Sequence, residues 1–234
     1  MPTIRALKLY HFGPSRSARA KWILHETVGD GFEAVRINLY AGEQYARSYL
    51  EKNPNHNVPV LEITFEDGET MAMLESAAMV GFFADAYPEK RLAPAPGLSR
   101  ARADYLQMLH FGGSSMDMIL WQVRIHEHVL PPAERDQRTI DRYRKKFASE
   151  IEPQLAARLG KHRFICGDEF TAADCVIGHN VAWADMYGQC KDDVFKRYLA
   201  RLSERPAFGA AFSDAAGFTP AAPQRPDGKT LFTG

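Results

Sequence analysis

The chain has 234 residues, 45% hydrophobic and 25% charged, with Lys plus Arg and Asp plus Glu at 29 each, so its formal charge is zero. That balance supports neither a nucleic-acid nor a membrane-surface partner, and the length suffices for two modest domains with buried cores. The start at Met1 to Arg5 holds no apolar signal core and no run approaches a membrane span, so a cytoplasmic protein is expected. Cys166, Cys175 and Cys190, odd in number and widely spaced, fit reduced thiols better than a disulfide framework or a zinc site.

Ile4 to Tyr10 alternates loosely and ends at the turn Phe12-Gly13-Pro14, which predicts a first strand. A helix follows, with Ser15 or Ser17 as N-cap, Ala20, Ile23, Leu24 and Val28 as its buried stripe, and Gly29 and Gly31 as its end. Phe32 to Leu39 reads as a second strand, and Glu43 to Leu50 as a short helix stopped near Asn53-Pro54. Val58-Pro59 opens a third strand, since proline lacks the N–H a ladder needs and is tolerated only at a first or edge position. Asp67-Gly68 predicts a two-residue hairpin turn. Glu75-Ser76 then starts a helix whose stripe is Ser76, Met79, Val80, Phe83, Ala84 and Tyr87. The order is βαβα then ββα over about 85 residues. A proline-opened hairpin running into an anion-ready helix start suggests a small acidic ligand laid along a strand edge.

The proline- and glycine-rich stretch 88–97 marks a linker between a domain at 1–87 and a helical domain at 98–234. Ser99 can cap a long helix with Tyr105, Leu109, Gly112, Met116, Ile119 or Leu120 and Val123 on one face, weakened, bent or closely approached at Gly112-Gly113 and ended by Pro131-Pro132. Ile140, Tyr143, Phe147, Ile151 and Leu155 mark another helix, closing at Gly160. Thr171 and Asp174 form a variant capping box for a buried helix carrying Val176, Asn180, Trp183, Ala184 and Tyr187, of which Asn180 and Trp183 read as core packing. Shorter helices follow at 194–202 and 206–212, and the tail from Gly217, with Pro220, Pro223 and Pro226, shows no pattern. His126 and His128 stand two apart on a helix, diverge, and make a poor metal pair.

Val58-Pro59, Glu75-Ser76, the proline-rich linker, Phe-Thr-Ala-Ala-Asp and the ending Tyr-Leu-Ala-Arg-Leu-Ser-Glu-Arg-Pro-Ala-Phe, in this order and spacing, resemble the cytosolic glutathione transferases over about Ile4 to Phe212. The resemblance implies an α/β plus all-α chain: a thioredoxin-like N-terminal domain followed by a C-terminal helical bundle, usually as a homodimer. It implies glutathione as co-substrate with no metal, Val58 exchanging backbone hydrogen bonds with its cysteinyl part before a cis Pro59, and Glu75 and Ser76 holding its γ-glutamyl end. Family members often carry Gly-Lys or Gly-Gln before Val-Pro. Here His56-Asn57 stands instead, leaving Asn57 one neutral hydrogen bond for the glycyl carboxylate and His56 a weak candidate.

Catalysis in that family needs the glutathione thiolate, which a hydroxyl at the start of the first helix stabilises together with the helix dipole. Ser15 is the candidate, in the manner of the serine-type classes, with Ser17 next and Tyr10 third; the alternative is that Ser15 merely caps the helix. No cysteine lies in this loop, which argues against a protein mixed disulfide. Phe12, Trp121 and Arg124 are candidate walls for a hydrophobic electrophile or peroxide between the domains. Glutathione-dependent isomerisation or dehalogenation would use the same thiolate. A non-catalytic dimerisation or docking module, toward which His56 points, is the reading from a different class.

Overall fold

The computed structural model describes residues 4–13 and 15–215; the expectations at Pro14 and in the tail from Gly217 lie outside the described residues. The N-terminal domain has the order β1 (Ile4–His11), α1 (Ser17–Thr27), β2 (Glu33–Arg36), α2 (Arg47–Leu50), β3 (Val60–Phe65), β4 (Thr70–Met73) and α3 (Ser76–Ala86). The sheet runs β2-β1-β3-β4, with β1 parallel to β2 and antiparallel to β3, and β3 antiparallel to β4. Opposite Leu9 stands Leu61, and opposite Leu7 stands Ile63. Because strand side chains alternate, these four share the face covered by α1 and α3, while Tyr10 and Val60 fall on the other, beside Tyr49 and Val58.

Local chemistry alters three of the expected elements. The hairpin turn is not a two-residue one: Phe65 N–H bonds the Glu69 carbonyl and Gly68 N–H the Phe65 carbonyl, so Glu66 to Gly68 form a three-residue loop with Gly68 at φ +86°. A left-handed glycine as its last residue is the usual companion of that length. The second strand is only Glu33–Arg36, because Asn38 Oδ1 accepts the N–H groups of Tyr40 and Ala41 and folds the chain into a 3₁₀ turn. The helix expected from Glu43 is a second 3₁₀ turn, Glu43–Tyr45, followed by the single α-turn of α2.

Beyond the linker come α4 (Arg100–Phe111), α5 (Asp117–Arg124), α6 (Gln137–Lys146), α7 (Glu152–Leu159), α8 (Ala172–Met186), α9 (Asp193–Ser203) and α10 (Pro206–Phe212). Ser99 Oγ caps α4 by accepting the Arg102 N–H at 3.1 Å. A π-helical turn at Gly112–Met116 joins α4 to α5. There a Cβ on Gly112 would meet Ile177 Cδ1 at 2.8 Å, and one on Gly113 would meet the Ala77 Cβ at 2.7 Å. The glycine pair therefore does both things expected of it, relaxing the helix and letting α8 and α3 come close. Further π turns follow at Ile125–Val129 and Phe147–Ile151, the latter preceding α7, whose Pro153 has no N–H to give the regular ladder.

The capping box at α8 extends further than its motif. Asp174, fully buried, accepts the Thr171 N–H and the Ile165 N–H, both at 2.9 Å, and the Tyr198 hydroxyl at 2.7 Å, so it ties the start of α8 to α9. Burial pushes its pKa above the usual carboxylate range despite those donors. The domains meet along α1, where Trp22 is fully buried against Phe170, Phe208 and Phe212. Trp22 also donates from Nε1 to Glu26, which holds Arg205 in a two-pronged pair at 2.7 Å.

Two stability outcomes are expected. Gly113→Ala has only a rigid Cβ to displace and should lower folding stability by about 1–3 kcal/mol; Asp174→Ala strands several buried donors and should cost roughly 2–5 kcal/mol. Urea denaturation of each variant checks both, and a midpoint equal to that of the parent chain would contradict the packing described.

Candidate active site

The Val58–Pro59 bond is cis and lies just before β3. The loop ahead of it is held from beneath: buried Asn53 donates from Nδ2 to the Asn57 carbonyl and to Asn57 Oδ1 at 2.8 and 2.9 Å, and Tyr49 donates its hydroxyl to the same carbonyl at 2.7 Å. Asn57 is exposed, its side-chain oxygen thus engaged and its amide NH₂ left as the donor. His56 adopts φ +43° and sets its ring against Tyr45, 5.0 Å between centroids.

Glu75 and Ser76 begin α3. Glu75 has φ +68°, a region uncommon for residues with a Cβ and of the kind strained sites retain, and its side chain is exposed. Ser76 is the first residue of the helix and is buried. A helix start carries unpaired N–H groups and a partial positive charge, so this corner suits a carboxylate.

Behind Ser76 sits Arg19, a fully buried cation that no motif announced. Its Nη1 donates to Ser76 Oγ at 3.4 Å, its Nε to His179 Nδ1 at 3.1 Å, and its Nη2 to Asp117 and Asn180. Burial pulls the Arg19 pKa below its ordinary value while Asp117 opposes that, and an arginine with such a partner keeps its proton. Burial works against ionisation of Asp117 too, but Arg19 and Arg16 outweigh it and hold its pKa below the usual carboxylate range. Since Arg19 can only donate, His179 Nδ1 must accept, so Nε2 carries the proton and donates to the Ser15 carbonyl at 3.1 Å. Burial first, then Arg19, pushes the His179 pKa down to about 3, which keeps that tautomer neutral.

The three candidate hydroxyls are in different situations. Ser15 is half-buried at the start of α1, and its Oγ accepts the Ser17 N–H at 3.2 Å. Ser17 is fully buried, 2.7 Å from His11 Nδ1 and 2.8 Å from Ser15 Oγ. Tyr10 points to the other face of the sheet, donating to Glu62 at 2.7 Å beneath the Lys52 ammonium. Burial and Glu62 together raise the Tyr10 pKa.

Of the expected electrophile walls, Phe12 is buried and packs edge-on to Tyr40, 5.1 Å between centroids. Trp121 is half-buried and carries the Arg16 guanidinium over its ring at 4.9 Å. Trp183 packs half-buried against the main core, as expected, and also shares that guanidinium at 5.5 Å. Arg124, half-buried on the next turn of α5, faces Tyr187 of α8. Asn180 is in the core, but as a polar bridge from Arg19 to the Gly112 carbonyl at 2.7 Å.

Sequence reasoning passed over His11, Arg16, Arg19, Asp117, His179 and Asp214. One signal for Arg19 was available: it stands four residues before Ile23, on the helix face that the apolar stripe marks as buried, where a charge needs a partner. The others become visible only across 98 residues for Arg19 to Asp117 and 203 for His11 to Asp214.

Models of the glutathione S-transferase N-terminal and C-terminal domains match residues 5–81 and 137–204. A zeta-class glutathione S-transferase of Euphorbia esula is 30% identical over 179 residues, covering 75% of each chain. Probable maleylacetoacetate isomerase 2 of Drosophila melanogaster is 26% identical over 173 residues, covering 73% of this chain and 70% of its own. Among solved structures, a sphingomonad glutathione S-transferase complexed with glutathione superposes with a TM-score of 0.74 at 25% identity, covering 90% of this chain and 100% of its own. With a mixed four-stranded thioredoxin-like domain leading into a helical one, and both family domains matched in order, the chain belongs to the cytosolic glutathione transferase family.

Proposed function

We propose that this protein binds reduced glutathione along the Val58 edge and the Ser76 helix start, converts its thiol to the thiolate beside Ser15, and directs it at a hydrophobic electrophile or a peroxide. The observation that carries this reading is the state of the three hydroxyls: Ser15, whose Oγ donates to the Phe12 carbonyl at 2.7 Å, is half-buried at a helix N-terminus, whereas Ser17 is sealed and Tyr10 lies on the other face of the sheet bound to Glu62. A hydroxyl donor and the positive end of α1 both favour the anionic form of sulfur. Val58 offers backbone groups that would pair with a peptide as an added strand does, and Glu75 and Ser76 would take the amine and carboxylate of the γ-glutamyl end. The exposed Asn57 amide would reach the glycyl carboxylate. Trp121, Trp183 and the Arg16 lying over both would form the wall for the second substrate, with Phe12 buried at its edge. The protein would act as a homodimer in the cytoplasm, as is usual for this family.

A second reading is supported by the isomerase name of the Drosophila relative: the same thiolate would add to a conjugated double bond and leave again, so that glutathione returns unchanged. Conjugation consumes one glutathione per turnover and isomerisation none. Thiol titration during turnover of a panel of electrophiles therefore separates the two, and a chain that neither binds glutathione nor shifts its thiol spectrum would be a docking module instead.

Two outcomes are expected. Ser15→Ala should lose a hydrogen bond to a charged sulfur, about 10- to 100-fold in kcat/KM, with glutathione affinity nearly unchanged. Steady-state kinetics decides this, and full activity in that variant beside an inactive Tyr10→Phe would reverse the assignment. Ser76→Ala should weaken glutathione by roughly 10-fold while kcat stays near the parent value, as read by calorimetry and saturation kinetics.

A further inference from the structure

Four polar side chains form an unbroken line from half-buried Ser15 through the buried Ser17 and His11 to the half-exposed Asp214. Ser15 Oγ lies 2.8 Å from Ser17 Oγ, Ser17 Oγ 2.7 Å from His11 Nδ1, and His11 Nε2 2.7 Å from Asp214 Oδ2. Chemistry assigns each proton. A carboxylate only accepts, so His11 Nε2 carries hydrogen and the neutral ring has its lone pair on Nδ1, facing Ser17. Ser17 thus donates to His11, and its oxygen is left to accept, from the Phe12 N–H at 3.1 Å and from Ser15. The Phe12 carbonyl, 2.7 Å from Ser15 Oγ and 3.0 Å from Ser17 Oγ, is the competing acceptor.

The order Asp, His, Ser invites comparison with a nucleophilic serine, and burial excludes it. Ser17 is 0% exposed and His11 2%, so no substrate reaches either. Ser15, half-buried before α1, is the member of the line that glutathione would reach under the reading above. What the line can do is carry a proton.

We propose that Ser17, His11 and Asp214 are positioning residues that receive the glutathione proton through Ser15, making His11 the base for thiol activation. This rests on the glutathione reading above. With the thiol bound, every donor points inward: sulfur to Ser15, Ser15 to Ser17, Ser17 to His11. In the step the S–H bond breaks and its electron pair stays on sulfur. The thiol proton passes to Ser15 Oγ, the Ser15 proton to Ser17 Oγ, and the Ser17 proton to His11 Nδ1. Each hydroxyl ends with one proton and every donor now points outward, His11 to Ser17, Ser17 to Ser15, Ser15 to the thiolate. The same transfer that creates the anion therefore turns the Ser15 hydroxyl toward it. The proton returns by this route once the sulfur has formed its new bond.

The charged groups facing His11 are Asp214, beyond the end of α10, and Lys21 on α1, 3.2 Å from the other Asp214 oxygen. Arg36, opposite His11 on β2, lies over the Phe12 ring at 5.7 Å. Burial lowers the His11 pKa and Asp214 opposes it, which leaves the ring neutral and able to accept at neutral pH. Burial resists ionisation of Asp214, but His11 and Lys21 prevail and keep it a carboxylate. The backbone is packed to match: a Cβ on Gly13 would meet the Asp214 carbonyl at 2.6 Å, so the loop before Ser15 and the end of α10 are in direct contact.

The test titrates the ultraviolet thiolate band of glutathione bound to the full chain and follows kcat against pH, in the parent, His11→Asn and Asp214→Asn. His11→Asn offers an oxygen to Ser17 but cannot take a proton; Asp214→Asn alters a half-exposed side chain and removes the charge that faces both the ring and Lys21. Both should raise the apparent pKa of the bound thiol by about one unit and lower kcat at neutral pH about tenfold, with KM for glutathione within about twofold. A bound thiol that titrates in both variants as in the parent would overturn the relay and leave the glutathione reading standing. A parent protein with no thiolate band would remove both.

Discussion

The active end of this molecule depends on one buried ion pair, Arg19 with Asp117. Taking a guanidinium and a carboxylate out of water costs several kcal/mol each, and the cost is met only where further hydrogen bonds saturate both groups. Arg19 is saturated by Asp117, Asn180, His179 and Ser76, and Asp117 also by Arg16 at 2.5 Å. These partners come from α1, α3, α5 and α8, so the requirement that one arginine be satisfied sets the distance between the two domains. It also sets the positions of Ser76 and, through His179, of the Ser15 carbonyl.

Helix α1 is the element on which these demands converge. Its first residue Ser17 bonds His11, Arg19 meets the ion-pair network, Trp22 fills the aromatic seam, and Glu26 grips Arg205. A helix so enclosed has no polar face to give to solvent. Arg19 is accordingly partnered in the interior, Lys21 and Glu26 pair with the partly exposed Asp214 and Arg205, and the N-terminus is held from two sides. His179 donates to the Ser15 carbonyl from the helical domain, and Ser17 leans on His11 and Asp214 from the other flank. Both histidines are neutral because burial lowers their pKa values, and in each the tautomer follows from a partner that can act in one sense only. Rigidity at Ser15 is thus a property of polar groups in low dielectric, where an unmade hydrogen bond is expensive.

The corner proposed for glutathione is built on a different principle. Val58, Pro59 and the helix start at Ser76 would bind through backbone groups and the partial charge of α3, and these need only a strand edge, a turn and an N-terminus in the right order. Such features are local. Asn53 and Tyr49 support the Asn57 carbonyl from within eight positions, and Glu75 reaches φ +68° within the turn it makes.

That difference in range explains what could be read from the chain alone. Apolar spacing, the capping residues Ser99 and Thr171, the glycine pair and the order of Val58-Pro59 before Glu75-Ser76 made the fold of both domains and the corner proposed for the ligand legible, because each expresses a constraint acting over a few residues. Turn chemistry corrected the edges, as the Asn38 side chain shortened β2 and Gly68 lengthened the hairpin loop. Only the tertiary structure sealed Ser17 while leaving Ser15 half-buried, brought Arg16 over both Trp121 and Trp183, and gathered His11, Arg19, Asp117, His179 and Asp214 around the start of α1. Those residues meet because a buried charge or imidazole must find partners wherever the packed chain supplies them, and sequence separation carries no record of that choice.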